Sequence, residues 1–119
     1  MRTVFSVVNQ KGGVGKTTTA VNLATALSIS GKSCLVIDLD PQGNASTGFS
    51  ITSEQRNPGA YEVLMQKTGI LEAIRPTEVS GLGIIPSRVE LSNVEHELYE
   101  FENREFLLKR AIESLPERY

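Results

Sequence analysis

Tryptophan, clustered cysteines and long apolar runs are absent from this sequence. Its 119 residues include no tryptophan, one histidine and one cysteine, Cys34. A single cysteine can neither close an internal disulfide nor build a thiolate metal cluster, which fits a reducing compartment. The longest apolar runs fall far short of the ~20 residues that a membrane helix needs, and the N-terminus lacks the apolar middle of a signal peptide. We therefore expect a cytoplasmic protein without a membrane span.

An excess of positive charge is absent too. The chain has 12 lysines and arginines against 14 aspartates and glutamates, a formal net charge of −2. A domain that binds nucleic acid by itself usually carries a basic patch or stripe, and the sequence has no long basic run. With 39% hydrophobic and 22% charged residues, the composition is that of one globular unit. Any contact with DNA is expected to use residues outside this chain.

The first third of the chain predicts a strand, a helix and a second strand. Thr3–Val8 is short, apolar and rich in β-branched residues, which favours a strand buried on both faces. Lys16–Ser30 has apolar residues at helical spacing, and Gly31 is placed to end that helix. Ser33–Asp38 is a second apolar strand. Together they predict a right-handed, parallel βαβ unit.

The rest of the chain gives weaker signals. The predicted elements are a polar surface connection (41–58), a short helix (61–67), a turn (71–74) and a third strand (82–86). Ser92 and Glu95 suggest a capping box, and the stretch from there to Leu115 predicts one helix broken near Asn103, or two helices. His96 is interpreted as a solvated surface residue. The nearby acidic residues are interpreted as a water-facing stripe (Glu95, Glu97, Glu100, Glu102 and Glu105).

A glycine-rich turn between the first strand and the helix carries the strongest chemical signal. It comprises Lys11, Gly12, Gly13, Val14, Gly15, Lys16, Thr17 and Thr18. Glycines let successive backbone N–H groups point at a phosphate, and the helix N-terminus adds a partial positive charge at the same place. In this pattern Lys16 reaches the β- and γ-phosphates and the Thr17 hydroxyl binds Mg²⁺. The motif predicts a site for the phosphates of a nucleotide together with Mg²⁺.

Two aspartates follow the second strand. Asp38 and Asp40 stand in the sequence Val36-Ile-Asp-Leu-Asp-Pro-Gln-Gly-Asn44. Ligands of open parallel sheets bind beyond the carboxyl ends of the strands, so both carboxylates are expected on the same side as the glycine-rich turn. Asp40 suits the positioning of an attacking water. Asp38 is expected to support the Mg²⁺ shell indirectly or to hold the loop.

The glycine-rich turn departs from the ordinary P-loop pattern, because Gln10 stands where a glycine is usual and a second lysine, Lys11, begins the loop. In this respect it resembles the deviant Walker A signature of the ParA/MinD group of P-loop ATPases. The residues after Asp40 resemble the partitioning branch. The resemblance implies a P-loop NTPase-type α/β fold, a parallel sheet with helices on both faces. It also implies catalytic roles for Lys11, Lys16 and Asp40, with Lys11 reaching the nucleotide of a partner subunit.

Function and partners follow from this resemblance alone. It implies a dimerisation switch for chromosome or plasmid partitioning that binds and hydrolyses ATP. The expected partners are a second copy, nonspecific DNA bound through residues outside this chain, and a ParB-like stimulating protein, with the protein located at the nucleoid. A MinD-like membrane-cycling ATPase and a non-catalytic nucleotide-binding module are the alternatives. The adenine or guanine preference stays open.

A Walker B aspartate at the end of a further apolar strand is not found after Pro86. Residues 1–119 are therefore interpreted as the N-terminal part of a single P-loop ATPase domain, whose fold is completed by residues not in this chain. We expect this part alone to hydrolyse ATP weakly or not at all.

Overall fold

The computed structural model describes residues 2–7, 15–98 and 106–119. Its α-helices are α1 (Lys16–Ile29), α2 (Asn44–Gly48), α3 (Ala60–Leu64), α4 (Val94–Glu97) and α5 (Leu107–Glu113). Its strands are β1 (Cys34–Ile37), β2 (Arg75–Pro76) and β3 (Leu82–Ile85). Three 3-10 turns lie between them (Ser53–Arg56, Ile70–Ala73 and Val89–Asn93). The predicted helix and strand at residues 16–38, the short helix, the turn and the third strand are confirmed within a few residues.

The three strands form one sheet in the order β1-β3-β2. β1 and β3 are parallel, with Cys34 opposite Leu82 and Ile37 opposite Ile85. β2 was not predicted, and it adds a short antiparallel edge next to β3. A two-residue strand ending in proline has too little pattern to be recognised in a sequence.

Helices cover both faces of the sheet. On one face Leu82 and Ile84 of β3 pack with Ala24 of α1 and with Phe49 and Ile51. The opposite face carries Ile85 and packs against the helices α3 and α5 through a second cluster (Ala60, Tyr61, Val63, Ile70, Ala73, Leu91 and Leu115). This is the α/β arrangement that the sequence predicts, with alternate strand residues pointing into the two layers.

The end of α1 is set by Gly31. Ser30 is the last half-helical residue, and Gly31 follows with φ 97°, a backbone conformation that glycine adopts without strain. The Gly31 N–H donates to Ser28 O at 3.0 Å and the Lys32 N–H donates to Leu27 O at 3.0 Å. These are the two bonds of a Schellman motif, and they turn the chain directly into β1.

The predicted first strand is wrong over residues 3–7. Residues 2–7 form no strand, and Val4 and Phe5 are 61% and 65% exposed. The Arg2 guanidinium instead donates to carbonyl oxygens in and after α5, including Ile112 O at 2.6 Å and Leu115 O at 2.8 Å. A β-branched run becomes a strand only where a neighbouring strand offers a paired edge, which no strand in the described ranges gives it. Val8 lies outside the described residues.

The predicted surface connection at 41–58 is also wrong in part. It contains α2 and a 3-10 turn, and Ala45, Ser46, Phe49 and Ile51 in it are buried. The small polar residues of this segment led to the prediction of a surface loop. One of them, Ser46, can nevertheless be buried, because its hydroxyl is hydrogen-bonded inside the protein.

The C-terminal third differs from the predicted capping box. A 3-10 turn starts at Val89, and the N-cap of α4 is Asn93 without a side-chain cap hydrogen bond. Ser92 therefore lies inside the turn, not at the helix start. Glu97 is not water-facing as predicted, because its carboxylate accepts a hydrogen bond from the Tyr61 hydroxyl at 2.5 Å. His96 is exposed, as expected, and Asn103 lies outside the described residues.

Candidate functional site

The described part of the predicted phosphate loop begins at Gly15. This residue is the N-cap of α1 with φ 89°, and its carbonyl accepts the Thr19 N–H at 2.8 Å. Glycine has no side chain with which to cap the first N–H groups of the helix, so the N-terminal partial charge of α1 is left for another group. Lys16 and Thr17 are half-buried in the first turn and Thr18 is exposed. The other predicted loop residues lie outside the described ranges (Lys11, Gly12, Gly13 and Val14).

The first turn of α1 lies at the carboxyl end of β1. α1 packs against β1, and the tight turn at Gly31 makes the two run in opposite directions. At 14 residues, α1 is about 21 Å long, and β1 with the residues up to Asp40 spans about the same distance. Lys16 and Thr17 therefore approach the end of the sheet at which Asp38 and Asp40 leave it.

Asp38 is a buried carboxylate with a full set of partners. It is 4% exposed, and its backbone N–H extends the β1–β3 ladder by donating to Ile85 O at 3.0 Å. Its Oδ2 accepts the Ser46 hydroxyl at 2.6 Å and the Ser46 N–H at 2.9 Å. Its Oδ1 accepts the Asp40 N–H at 3.1 Å. A buried charge needs such donors, and here they tie the loop to the end of the strand.

Asp40 is more open. It is half-buried, and its Oδ1 accepts the Gln42 N–H at 3.0 Å while its Oδ2 accepts the Asn44 amide at 3.0 Å. Each carboxylate oxygen keeps a lone pair without a partner in these bonds. The two donors fix the orientation of the carboxylate, and its half-buried position leaves it accessible.

Ser46 and Ser87 are site residues that sequence reasoning missed. Both are 0% exposed. The Ser87 N–H donates to Ser46 Oγ at 3.0 Å, and the Ser87 hydroxyl donates to the carbonyl of Asp40 at 2.5 Å. A usable signal for Ser87 is a polar residue close after an apolar strand, since Ser87 comes two residues after β3 and Asp38 comes directly after β1.

A second buried charge lies beside this loop. Glu62 of α3 contacts the Arg88 guanidinium and accepts the Gly59 N–H at 2.8 Å. Burial alone would raise the pKa of Glu62, but the hydrogen bonds from Arg88 and Gly59 outweigh it and lower the pKa below its ordinary value of 4.5. The Arg88 guanidinium lies 5.1 Å from the centre of the Tyr61 ring. The hydrogen bond to Glu97 raises the pKa of the Tyr61 hydroxyl.

An open groove lies next to the residues that follow Asp40. Its volume is about 700 Å³, and its lining includes Pro41, Gln42, Arg56 and Arg88. Gly15 to Thr18, the described part of the predicted phosphate loop, do not line it. The Arg56 guanidinium donates hydrogen bonds within the protein, to Ile51 O at 3.1 Å and to Thr47 Oγ1 at 2.9 Å.

Two further properties concern only the residues that the structure describes. In those ranges no three histidine, cysteine or acidic side chains come together as a metal site. None of the helices found there has the length and apolarity to cross a membrane.

Comparison with known sequences places the chain. The profile of a family described as "AAA domain" matches residues 2–119. The chromosome partitioning protein ParA of Caulobacter vibrioides is 48% identical over 112 residues, which cover 94% of this chain and 42% of that protein. The sporulation initiation inhibitor protein Soj of Bacillus subtilis is 40% identical over 119 residues, 100% of this chain and 47% of that protein. The chain thus spans less than half the length of these relatives.

A solved structure shares the fold. Cobyrinic acid a,c-diamide synthase from Mycobacterium smegmatis, crystallised with an ATP analog and magnesium, aligns with a TM-score of 0.88 and 33% identity. The alignment covers 94% of this chain and 46% of that one. The chain therefore belongs to the family described as "AAA domain", and it is similar to the ParA and Soj proteins over nearly its whole length.

Proposed function

We propose that the protein binds and hydrolyses ATP and uses the nucleotide to switch between monomer and dimer during the partitioning of a chromosome or plasmid. Two features support the proposal. α1 packs against β1 and has no side-chain cap at its N-terminus, where Lys16 and Thr17 stand. Asp40, just after the carboxyl end of β1, holds an oriented, accessible carboxylate, and we place it on the same side as Lys16 and Thr17. A phosphate group next to a carboxylate that can hold water is what phosphoryl transfer to water requires.

Residues 11–18 would hold the phosphates. The backbone N–H groups and the N-terminus of α1 supply donors and a partial positive charge, and Lys16 adds a full charge. Lys11 adds a second cation, which we assign to the nucleotide of the partner subunit. ATP and ADP are the proposed nucleotides, because a relative from Treponema pallidum, 41% identical over 112 residues, is named a chromosome-partitioning ATPase and the M. smegmatis structure contains an ATP analog.

The described residues fit a magnesium ion held largely by the nucleotide. Mg²⁺ keeps several waters and takes one or two protein oxygens plus phosphate oxygens, so it needs no cluster of carboxylates. The Thr17 hydroxyl, half-buried in the first turn of α1, is the proposed direct ligand. Asp38 already accepts three hydrogen bonds, so we assign it an indirect role through the loop that it holds. When bound, the ion would offset charge on the transferred phosphate.

Asp38 and Asp40 would thus have different roles. The carboxylate of Asp38 holds the loop through its bonds with Ser46. Asp40 accepts two oriented bonds and keeps capacity for a water, whose proton it can accept as the oxygen approaches the phosphate. Catalysis by placement of that water is the role that we assign to Asp40.

The proposed partners follow from the named relatives. ParA proteins are chromosome partitioning proteins by name, so DNA cargo, a nucleoid location in the cytoplasm, nonspecific DNA binding through other residues and a ParB-like stimulating protein are proposed. We also propose that residues 1–119 form the N-terminal part of one ATPase domain, because the relatives are more than twice as long. A MinD-like protein would instead bind lipid vesicles when ATP is added.

Three substitutions in the full-length protein test the proposal. Lys16→Ala should abolish ATP binding in a fluorescent-nucleotide titration, whereas Lys32→Ala, an exposed lysine just past the other end of α1, should not. Asp40→Ala should keep ATP affinity, lose turnover and accumulate an ATP-bound dimer on size exclusion. Lys11→Ala should bind ATP without forming that dimer. Wild-type turnover in Asp40→Ala, or wild-type affinity in Lys16→Ala, would contradict the proposal.

A further inference from the structure

We infer that Ser46 and Ser87 are positioning residues that hold Asp40 in its working orientation; this rests on the proposed role of Asp40 in hydrolysis. Neither serine belongs to the predicted phosphate loop or to the aspartate pair. Both act through the backbone of the loop and touch neither phosphate nor metal in this assignment. The geometry of six hydrogen bonds supports it.

The bonds run from one strand end to the other. The Ser46 hydroxyl donates to Asp38 at 2.6 Å, and Ser46 Oγ in turn accepts the Ser87 N–H at 3.0 Å. The Ser87 hydroxyl then donates to the carbonyl oxygen of Asp40 at 2.5 Å. Asp38 follows β1, Ser46 lies in α2 and Ser87 follows β3, so three separate segments are joined.

Asp40 is thereby held on both sides of its α-carbon. Its N–H donates to Asp38 Oδ1 at 3.1 Å, and its C=O accepts the Ser87 hydroxyl at 2.5 Å. With the backbone fixed at both peptide groups, the side chain is left with rotations about its own bonds, and Gln42 and Asn44 restrict these. The direction of the Asp40 carboxylate therefore depends on Ser87 and Asp38, which hold the backbone, as well as on the two donors that contact the carboxylate itself.

Burial makes the loss of any one of these hydrogen bonds costly. Ser46 and Ser87 are fully buried and Asp38 nearly so, and water cannot replace a lost partner at such a place. A reacting group displaced by about 1 Å can lose ~100-fold in rate. Removal of the Ser87 hydroxyl should free the Asp40 carbonyl and let the loop shift, which would lower turnover while the phosphate-binding residues stay in place.

The test is a double-mutant cycle in the full-length protein. Ser87→Ala should lower kcat on the order of 10-fold to 100-fold and leave the KM for ATP within about 2-fold. In an Asp40→Ala background, with residual hydrolysis followed in single turnovers, Ser87→Ala should cause no further fall. Ser28→Ala is the matched control, since Ser28 is buried with an Oγ that has no hydrogen-bond partner in the described structure. It should keep wild-type kcat.

The outcomes separate the two claims. A normal kcat in Ser87→Ala, or an equal fall with and without Asp40, would overturn the positioning role and leave the proposed function standing. Full turnover in Asp40→Ala would refute the proposed role of Asp40 and the inference with it. Should Ser87→Ala melt below the assay temperature, the same cycle with Ser46→Ala gives the same expected pattern, because it breaks the preceding bond of the series.

Discussion

Removal of Glu62 and removal of Arg88, which form an ion pair, should lower the free energy of unfolding by different amounts. Glu62 has a side chain that is 9% exposed, and without Arg88 its remaining donors are backbone N–H groups, including that of Gly59 at 2.8 Å. Arg88 is 27% exposed and keeps Glu90 at 2.6 Å if Glu62 is neutralised. Removal of one partner leaves an uncompensated charge, and the cost grows with the burial of that charge. Loss of the arginine should therefore harm stability more than loss of the glutamate charge.

The magnitudes follow from these contacts. Arg88→Ala should lower the free energy of unfolding by ~3 kcal/mol, because a buried carboxylate is left without its cation. Glu62→Gln keeps an acceptor for Gly59 and should cost only ~1 kcal/mol. The double variant should be more stable than Arg88→Ala alone, since the unpaired charge is gone. In a domain of about twice this length, ~1 kcal/mol corresponds to about 2–4 °C in Tm, so Arg88→Ala should melt about 6–12 °C lower.

Thermal and urea unfolding of the full-length protein at neutral pH measure all three variants. Lys109→Ala is the control, because the Lys109–Glu113 pair spans 3.7 Å with side chains 69% and 62% exposed, and such pairs contribute under ~1 kcal/mol. The reasoning is refuted if the double variant is less stable than Arg88→Ala, or if the two single variants are equally destabilised.

The pH dependence gives a second readout of the same pair. The pKa of Glu62 is lowered on folding, so its charge stabilises the protein fully above the ordinary value of 4.5 and less as the pH falls through the lower folded pKa. In Arg88→Ala the burial of Glu62 is no longer offset by the guanidinium, and its pKa should rise. The stability gap between this variant and the wild type should therefore narrow on mild acidification.

Three other changes have defined outcomes. The Tyr61 phenol should titrate above its ordinary pKa of 10.0, read from tyrosinate absorbance against Tyr61→Phe, and Glu97→Gln should bring that pKa down. Gly59→Ala should destabilise the protein by on the order of 2 kcal/mol in urea unfolding, because an added Cβ would overlap the carbonyl of Pro86; an unchanged midpoint would contradict this. Arg2→Ala should lower stability by ~2 kcal/mol through loss of its bonds to carbonyls in and after α5, with Arg2→Lys intermediate.

Local patterns predicted much of the fold. The helix α1 and its end at Gly31 follow from spacing and from the need for a residue with positive φ, and both are found. The strands β1 and β3 are short apolar runs followed by polar residues, and both are found. Thr3–Val8 has an equally good strand pattern, yet residues 3–7 form no strand, because pairing depends on a neighbour that the segment itself does not encode.

The parts of the candidate site that could be predicted are those where the local sequence alone determines the role of a residue. The positive φ of Gly15 and its place at the start of α1 agree with the glycine-rich motif. The two aspartates were found at the predicted strand end, but their separate environments were not foreseeable. They depend on Ser46 and Ser87, which lie 8 and 47 positions from the aspartates that they bind. A buried serine in a polar segment has the same sequence appearance as a surface serine, and only the tertiary fold distinguishes them.

The hydrogen bonds that join the ends of β1 and β3 limit where residues can be inserted into the chain. Ile37 lies opposite Ile85, so one extra residue between Ile37 and Ser46, or between Ile85 and Ser87, would put a donor and its acceptor out of reach. The turn at Gln66 and Lys67 is exposed, and the Lys67 ammonium contacts the Tyr61 ring at 5.1 Å from its centre without joining two strand ends. A short peptide tag or a fluorescent reporter should therefore be accepted there, while natural variants of this chain should keep a constant spacing across both strand ends.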